Sequence, residues 1–443
     1  MNIQLSDHFT TGRLLRFALP SIAMMIFMSF YGVVDGIFVS NFTGATAFAS
    51  LNLVWPYIMV LGGLGFLFGT GGTALVAYQM GQGDRKKANE TFTLIILTAI
   101  VVALLLAVLG ELTLRPMLHL MGASEEMMPH CLAYGRIMLA GLVPFTLQGV
   151  FQSFLVSAER PRLGMWVTIA AGVANMVLDY LFMGPLHMGV AGAAWATTIG
   201  EAIGGFVPLL YFCVPNKSPL NFCRTHFDGP ALRQTVWNGA SEFVTNISMS
   251  LVNMLYNWQL MRIIGESGVA AYGVLQYVAF FFVAIYLGYS MGTAPIVSYH
   301  YGAENDSELK NLFKKSLTFI AAAGVTMLVL SQALAVPLAN IFMSYDLELR
   351  DLTAHAFRLF SIAFLFSGFN IYGSDFFTAL NNGKVSATIS FLRTILFECS
   401  CVLILPRFFG VNGVWCSLPT AELLAIFVTT FFLMRNRKKY RYI

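Results

Sequence analysis

Charge is what this chain has least of. Asp, Glu, Lys and Arg make up 11% of its 443 residues, where average soluble domains carry about 25%. A water-soluble globular domain is therefore excluded. There is no G-x-x-x-x-G-K-[ST] loop and no polar stretch long enough to house a nucleotide-driven motor, so energy for any work must come from an ion gradient. The six cysteines (Cys131, Cys213, Cys223, Cys399, Cys401 and Cys416) show no C-x-x-C spacing. Neither a disulfide framework nor a zinc site is expected, and the thiols read as small apolar packing groups. The seven histidines are scattered mostly over loops and helix ends. They supply no nucleophile–base pair or metal-ligand set, so an intramembrane enzyme is not expected. No filter-like repeat or ring of charge marks a channel. The polar start MNIQLSDHFTTGRLLRF lacks a small-residue cleavage site, and no cleavable signal peptide is expected.

Hydrocarbon fills the space. Residues AVILMFWYC reach 57% and the mean hydropathy is +0.71. Apolar runs recur near residues 13–39, 50–79, 90–113, 129–156, 163–184, 190–214, 236–261, 270–299, 312–338, 352–379, 385–406 and 411–434. Each is long enough to span a bilayer with some tilt. The expectation is an all-α integral membrane protein of about twelve transmembrane helices. Lys and Arg then sort onto alternate loops. One side holds Arg13, Arg16, Arg85 to Lys87, Arg160, Arg162, Lys217, Arg224, Arg233, Lys310, Lys314, Lys315, Lys384 and the basic tail from Arg435 to Arg441. The other side holds Arg115, Arg262, Arg350 and Arg407. The positive-inside rule places both termini in the cytoplasm of a multi-pass plasma-membrane protein, the inner membrane if the chain is bacterial. The tail reads as a topology anchor, not a nucleic-acid patch.

The chain repeats itself at half its length. GVAGAAWATTIGEA at 189–202 answers GVNGVWCSLPTAEL at 410–423, a shift of 221. Tyr78–Gln79–Met80–Gly81 answers Tyr299–His300–Tyr301–Gly302 at the same shift, and Glu201 pairs with Glu422. A matched shift over separated segments points to duplication, a habit of secondary transporters. Six spans per copy give both copies the same orientation, hence two parallel six-helix repeats around a central cleft. The polar linker 214–233 sets expected lobes of 1–222 and 223–443.

Carboxylates sit inside otherwise apolar spans: Asp35 in FMSFYGVVDGIFV, Asp179 in ANMVLDYLFM, Glu242 in GASEFVTNISM and Asp375 in FNIYGSDFFTAL. A charge at the bilayer centre costs roughly 2.5–3.5 kcal/mol on insertion scales, so such residues persist where they bind an ion, a proton or a cationic ligand. The plainer alternative is a hydrogen bond locking two helices. Asn175 and Asp179 lie four residues apart, on one helix face. A carboxylate with a carboxamide oxygen suits a hard cation such as Na⁺, and the carboxylate alone suits a proton. Thr197 and Asp35 add a hydroxyl and a second carboxylate. Glu201 and Glu422 read as a structural pair.

At these residues the chain resembles the multidrug and toxic compound extrusion (MATE) family over essentially its whole length. The resemblance rests on the Leu19–Pro20–Ser21 step, VVDGIFV with Asp35, YQMGQGD at 78–84 and NMVLDYLFMGPLHMGVAGAAWAT at 175–197. It implies a cation and proton site at Asp35, Asn175, Asp179 and Thr197, with Tyr134 in the same network. Where the family often adds an Asn in the fourth span, this chain has Gln148 or Gln152. The resemblance also places a first-helix bend near Pro20, although a proline in the first helical turn is equally ordinary. A substrate-binding or second coupling site is expected from Glu242, Asp375, Tyr372, Gln148 and Gln152. No cofactor is expected beyond the coupling ion, H⁺ or Na⁺. The implied function is a monomeric cation-coupled antiporter that exports amphipathic, often cationic, organic compounds by rocker-switch alternating access. Its partners would be small molecules and the lipid bilayer. The alternative within transport is a flippase or exporter of a lipid-linked precursor, kept open by Arg136, Arg358 and Arg393.

Overall fold

The computed structural model describes residues 3–43, 45–343 and 346–443, and every regular element among them is helical. That is what a hydrocarbon solvent requires, since each backbone N–H and C=O must be satisfied within the chain. The first half contains α1 (Thr11–Thr43), α2 (Ala45–Gly62), α3 (Leu64–Gly81), α4 (Arg85–Leu120), α5 (Met128–Ala140), α6 (Leu142–Ser157), α7 (Pro161–Met183) and α8 (Gly189–Cys213). The second half begins with α9 (Gly229–Ile264), α10 (Glu266–Gly302), α11 (Asp306–Met343) and α12 (Leu347–Phe360). A 3₁₀ turn at Ser361–Ala363 leads into α13 (Phe364–Ala379), and α14 (Gly383–Phe391) follows. A π-helical turn at Leu392–Glu398 then precedes α15 (Cys399–Ile404), α16 (Pro406–Phe409), α17 (Val411–Trp415) and α18 (Ser417–Tyr440).

Ten helical stretches among the described residues are long and apolar enough to cross a membrane. The pair α5 and α6, bent by 56° at Gly141, makes eleven. The twelfth is α9. Its 36 residues span about 54 Å at 1.5 Å each, but Asn238, Glu242, Asn246, Asn253 and Gln259 dilute its apolar character. The twelve-helix membrane fold expected from hydropathy stands. Pro20 is the tenth residue of α1, not a first-turn residue, because the helix already begins at Thr11. First-turn tolerance therefore does not explain it.

The repeat is visible in the turns. Left-handed residues recur at Gly83 and Glu304, at Glu159 and Asn381, and at Gly189 and Gly410. Asp84 N–H bonds the Gln79 carbonyl at 3.2 Å, and Asn305 N–H bonds the His300 carbonyl at 3.0 Å, the same helix-ending bond in each copy. The irregular linker from Val214 to Asp228 lies along α4, with Asn221 N–H on Asn89 Oδ1 at 2.8 Å and Thr225 Oγ1 on the Glu90 carbonyl at 2.8 Å.

The halves meet through α1 and α3 against α9 and α10. A Cβ on Gly81 would run into the Tyr299 carbonyl, and one on Gly302 into the Tyr78 carbonyl. This reciprocal contact obeys the 221-residue shift and brings two backbones together as only glycine allows. Tyr78 and Tyr301 close over it with ring centroids 5.3 Å apart. At the same basic end the N-terminal segment bridges the halves. Leu5 N–H bonds Glu159 at 2.8 Å, and Phe9 N–H bonds Glu308 at 2.9 Å, with both apolar side chains fully buried. Glu308 also holds His8 and Asn311.

Candidate functional site

Four helices of the first half converge on one polar group. From α7 come Asn175 and Asp179, one turn apart and almost fully buried. From α8 come Thr197 and Glu201, also one turn apart, with Glu201 buried in mid-helix. The two pairs face each other, since Asn175 Nδ2 donates to Thr197 Oγ1 at 3.4 Å. From α1 comes half-buried Asp35, whose carboxyl interacts electrostatically with that of Asp179. Tyr134 of α5 interacts electrostatically with Asp35, Glu201 and Asp179, and Tyr31 of α1 with Glu201 and Asp35.

The group is short of donors. Asp35 Oδ1, Asn175 Oδ1, both Asp179 carboxylate oxygens and Glu201 Oε2 are buried with no hydrogen-bond donor from the described chain. No salt bridge among the described residues includes Asp35, Asp179 or Glu201. Buried acceptors of this kind are costly unless something supplies positive charge or protons. Their chemistry, hard oxygens from carboxylate, carboxamide and hydroxyl groups, fits a proton or an alkali cation as transported species.

The second half is built differently. Glu242 of α9 and Asp375 of α13 are half-buried and interact electrostatically with one another. Both also interact with Arg393 of the π-helical turn, a neighbour not evident from sequence distance. Arg393 itself is tied to Glu422 of α18, with Nε at 2.9 Å and Nη2 at 2.7 Å from the same carboxylate oxygen. Asn370 Nδ2 donates to the other Glu422 oxygen at 2.7 Å, and Thr429 Oγ1 donates to Asn370 Oδ1 at 2.8 Å. Glu422 is thus held by an ion pair and a carboxamide.

One grouping needs correction. Gln148 and Gln152 do not join the second-half acids, because α6 places them against α8 and α1. Gln148 covers Gly204, and Gln152 Nε2 reaches Met28 Sδ at 3.4 Å. Tyr372 interacts electrostatically with Asp375, while its ring packs toward Tyr289 and Phe376 at 6.3 and 5.7 Å between centroids. Glu201, unlike Glu422, has no ion-pair partner among the described residues, and its Oε2 has no donor. It and Tyr31 went unassigned to the site in the sequence, although the four-residue step from Thr197 to Glu201, matching Asn175 to Asp179, was the available signal. Of the arginines that kept a phosphate-binding cleft open, Arg136 pairs with Glu111 at 2.9 Å and Arg393 with Glu422.

Twelve helices in two related halves, with unpaired acids buried in one of them, define a polytopic membrane transporter. The MatE family model matches residues 20–181 and 243–401, once in each half, and the chain belongs to that family. It is 24% identical to the multidrug export protein MepA of Staphylococcus haemolyticus (strain JCSC1435), over 96% of this chain and 94% of that protein. The fold superposes on a crystal structure of MATE in complex with MaL6 with a TM-score of 0.93, at 19% identity and 98% coverage of both chains. It also superposes on an outward-facing multidrug resistance MATE transporter of the MOP superfamily with a TM-score of 0.91, at 20% identity, over 97% of this chain and 96% of that one.

Proposed function

We propose that this chain is a cation-coupled antiporter that exports amphipathic, often cationic, organic compounds in exchange for H⁺ or Na⁺. The observation that carries the reading is the cluster of buried, donor-less oxygens on Asp35, Asn175 and Asp179, joined to Thr197 and Tyr134 with no basic partner. Two carboxyls side by side repel when both are charged, so a proton or a monovalent cation between them is favoured. Loading that site draws α1 toward α7 and favours one arrangement of the halves over the other, and an ion shifts an equilibrium only by such differential binding. The halves 1–222 and 223–443 then rock about the glycine crossings of α3 and α10, with Pro20 letting α1 yield. Substrate and ion favour opposite states, which is what makes the exchange obligatory. Export by the similar MepA proteins is in keeping with this reading. The protein works as a monomer in the plasma membrane with both termini in the cytoplasm, in accord with its Lys and Arg bias.

The test is purified protein in liposomes carrying a fluorescent organic cation. Dye movement should follow an imposed pH or sodium gradient and stop when the gradient is collapsed. Movement indifferent to both gradients would overturn the coupling.

A further inference from the structure

Glu201 and Glu422 stand at the same place in the two copies of the repeat, five residues after the starts of the segments that begin Ala-Thr-Thr and Ser-Leu-Pro. Their surroundings are opposite. Glu422 is gripped by Arg393 through two bonds and by Asn370 through a third. In the first half, the stretch of α7 corresponding to Arg393, residues 170–174, reads Ala-Ala-Gly-Val-Ala and carries no cation. The position corresponding to Asn370 is Gly149. Glu201 therefore keeps the burial of its repeat mate, at 6% exposure, without any of its partners, and its Oε2 is left with no donor. Within its electrostatic reach are Tyr31 of α1 and Tyr134 of α5, both of which also reach Asp35, with Phe27 packed beside Tyr31 at 6.0 Å between centroids.

A buried carboxylate whose chain supplies no counter-charge is retained when a ligand supplies it. A carboxylate with aromatic residues close by is a combination that receives a delocalised or quaternary organic cation. A small alkali ion would prefer the oxygen-rich group one turn away, on Asn175, Asp179 and Thr197. We infer that Glu201, with Tyr31 and Tyr134, is the anchor for the positive charge of the exported organic cation, separate from the Asp35–Asp179 pair that takes the coupling ion. The inference rests on the proposed export of organic cations. It also makes Glu201 a specificity-determining residue, since a neutral substrate gains nothing from it.

The experiment is tetraphenylphosphonium binding to the full chain in nanodiscs by calorimetry, for wild type, Glu201→Gln and Glu422→Gln, with thermal melting of each. Glu201→Gln is expected to weaken binding by about tenfold or more, the scale of one charge-assisted contact, while melting no lower than wild type. Glu422→Gln is expected to bind normally but melt lower, because it strands Arg393. Unchanged binding by Glu201→Gln overturns the inference and leaves the proposed function standing. Loss of folding or a lowered melting point in Glu201→Gln also overturns it, by giving Glu201 the structural role of its mate. Failure of the wild-type chain to bind tetraphenylphosphonium would instead overturn the proposed organic-cation substrate class, and the inference with it.

Discussion

Asn175 donates its amide to Thr197 at 3.4 Å, and that one bond orients the whole first-half site. With Nδ2 spent on Thr197, Oδ1 is left without a donor, as are both Asp179 carboxylate oxygens. Under the proposed coupling, that amide oxygen is free to act as a cation ligand beside Asp179. Asp35→Asn and Asp179→Asn should each reduce gradient-driven dye efflux from liposomes at least about tenfold, within the ordinary range of coupling energies, with expression unchanged. Thr197→Ala should lose less, since it removes one neutral ligand. Wild-type efflux by both Asn variants would show that these acids only hold helices together.

A second prediction concerns the ion pair of the second half. Arg393→Gln leaves Glu422 buried and without its cation, which typically costs about 3–5 kcal/mol. Arg393→Gln should therefore lower the melting temperature clearly, and Arg393→Gln with Glu422→Gln should recover much of the loss. A double variant no better than the single one would mean that Arg393 serves Glu242 and Asp375 more than Glu422.

Much of this was legible before any coordinates. Apolar run length and the Lys and Arg bias marked the spans, and the shift from Gly192 to Gly413 marked the repeat. Asn175, Asp179 and Thr197 were legible because their spacing puts them on helix faces regardless of how the helices cross. Glu201, Tyr31 and Arg393 were not, since their roles depend on which faces meet. Arg393 lies on a π-helical turn, which displaces side chains from the 3.6-residue register that sequence reasoning assumes.

The crossing of α3 and α10 yields a third prediction. Gly81→Ala and Gly302→Ala each force a methyl group into a backbone carbonyl of the opposite half, so the crossing must open to accept it. Spin labels placed at positions 85 and 304 should report a longer mean distance in either variant than in the parent, and transport should fall. Unchanged distances would show that the helices slide without opening, and that this contact is no pivot.

The last prediction compares the acids of the two halves. Glu242 and Asp375 have a guanidinium within electrostatic reach, whereas Glu201 has none among its described partners. Opposite charge nearby offsets the field that a carboxylate presents to a substrate, so neutralising a compensated acid removes less attraction than neutralising a bare one. Glu242→Gln and Asp375→Asn should thus raise KM for cationic substrates by less than Glu201→Gln does, and leave neutral substrates unaffected. Equal losses for cationic and neutral substrates would assign the second-half acids to coupling. A larger loss than in Glu201→Gln would mean that Arg393 is wholly consumed by Glu422 and leaves Glu242 and Asp375 free to meet the substrate.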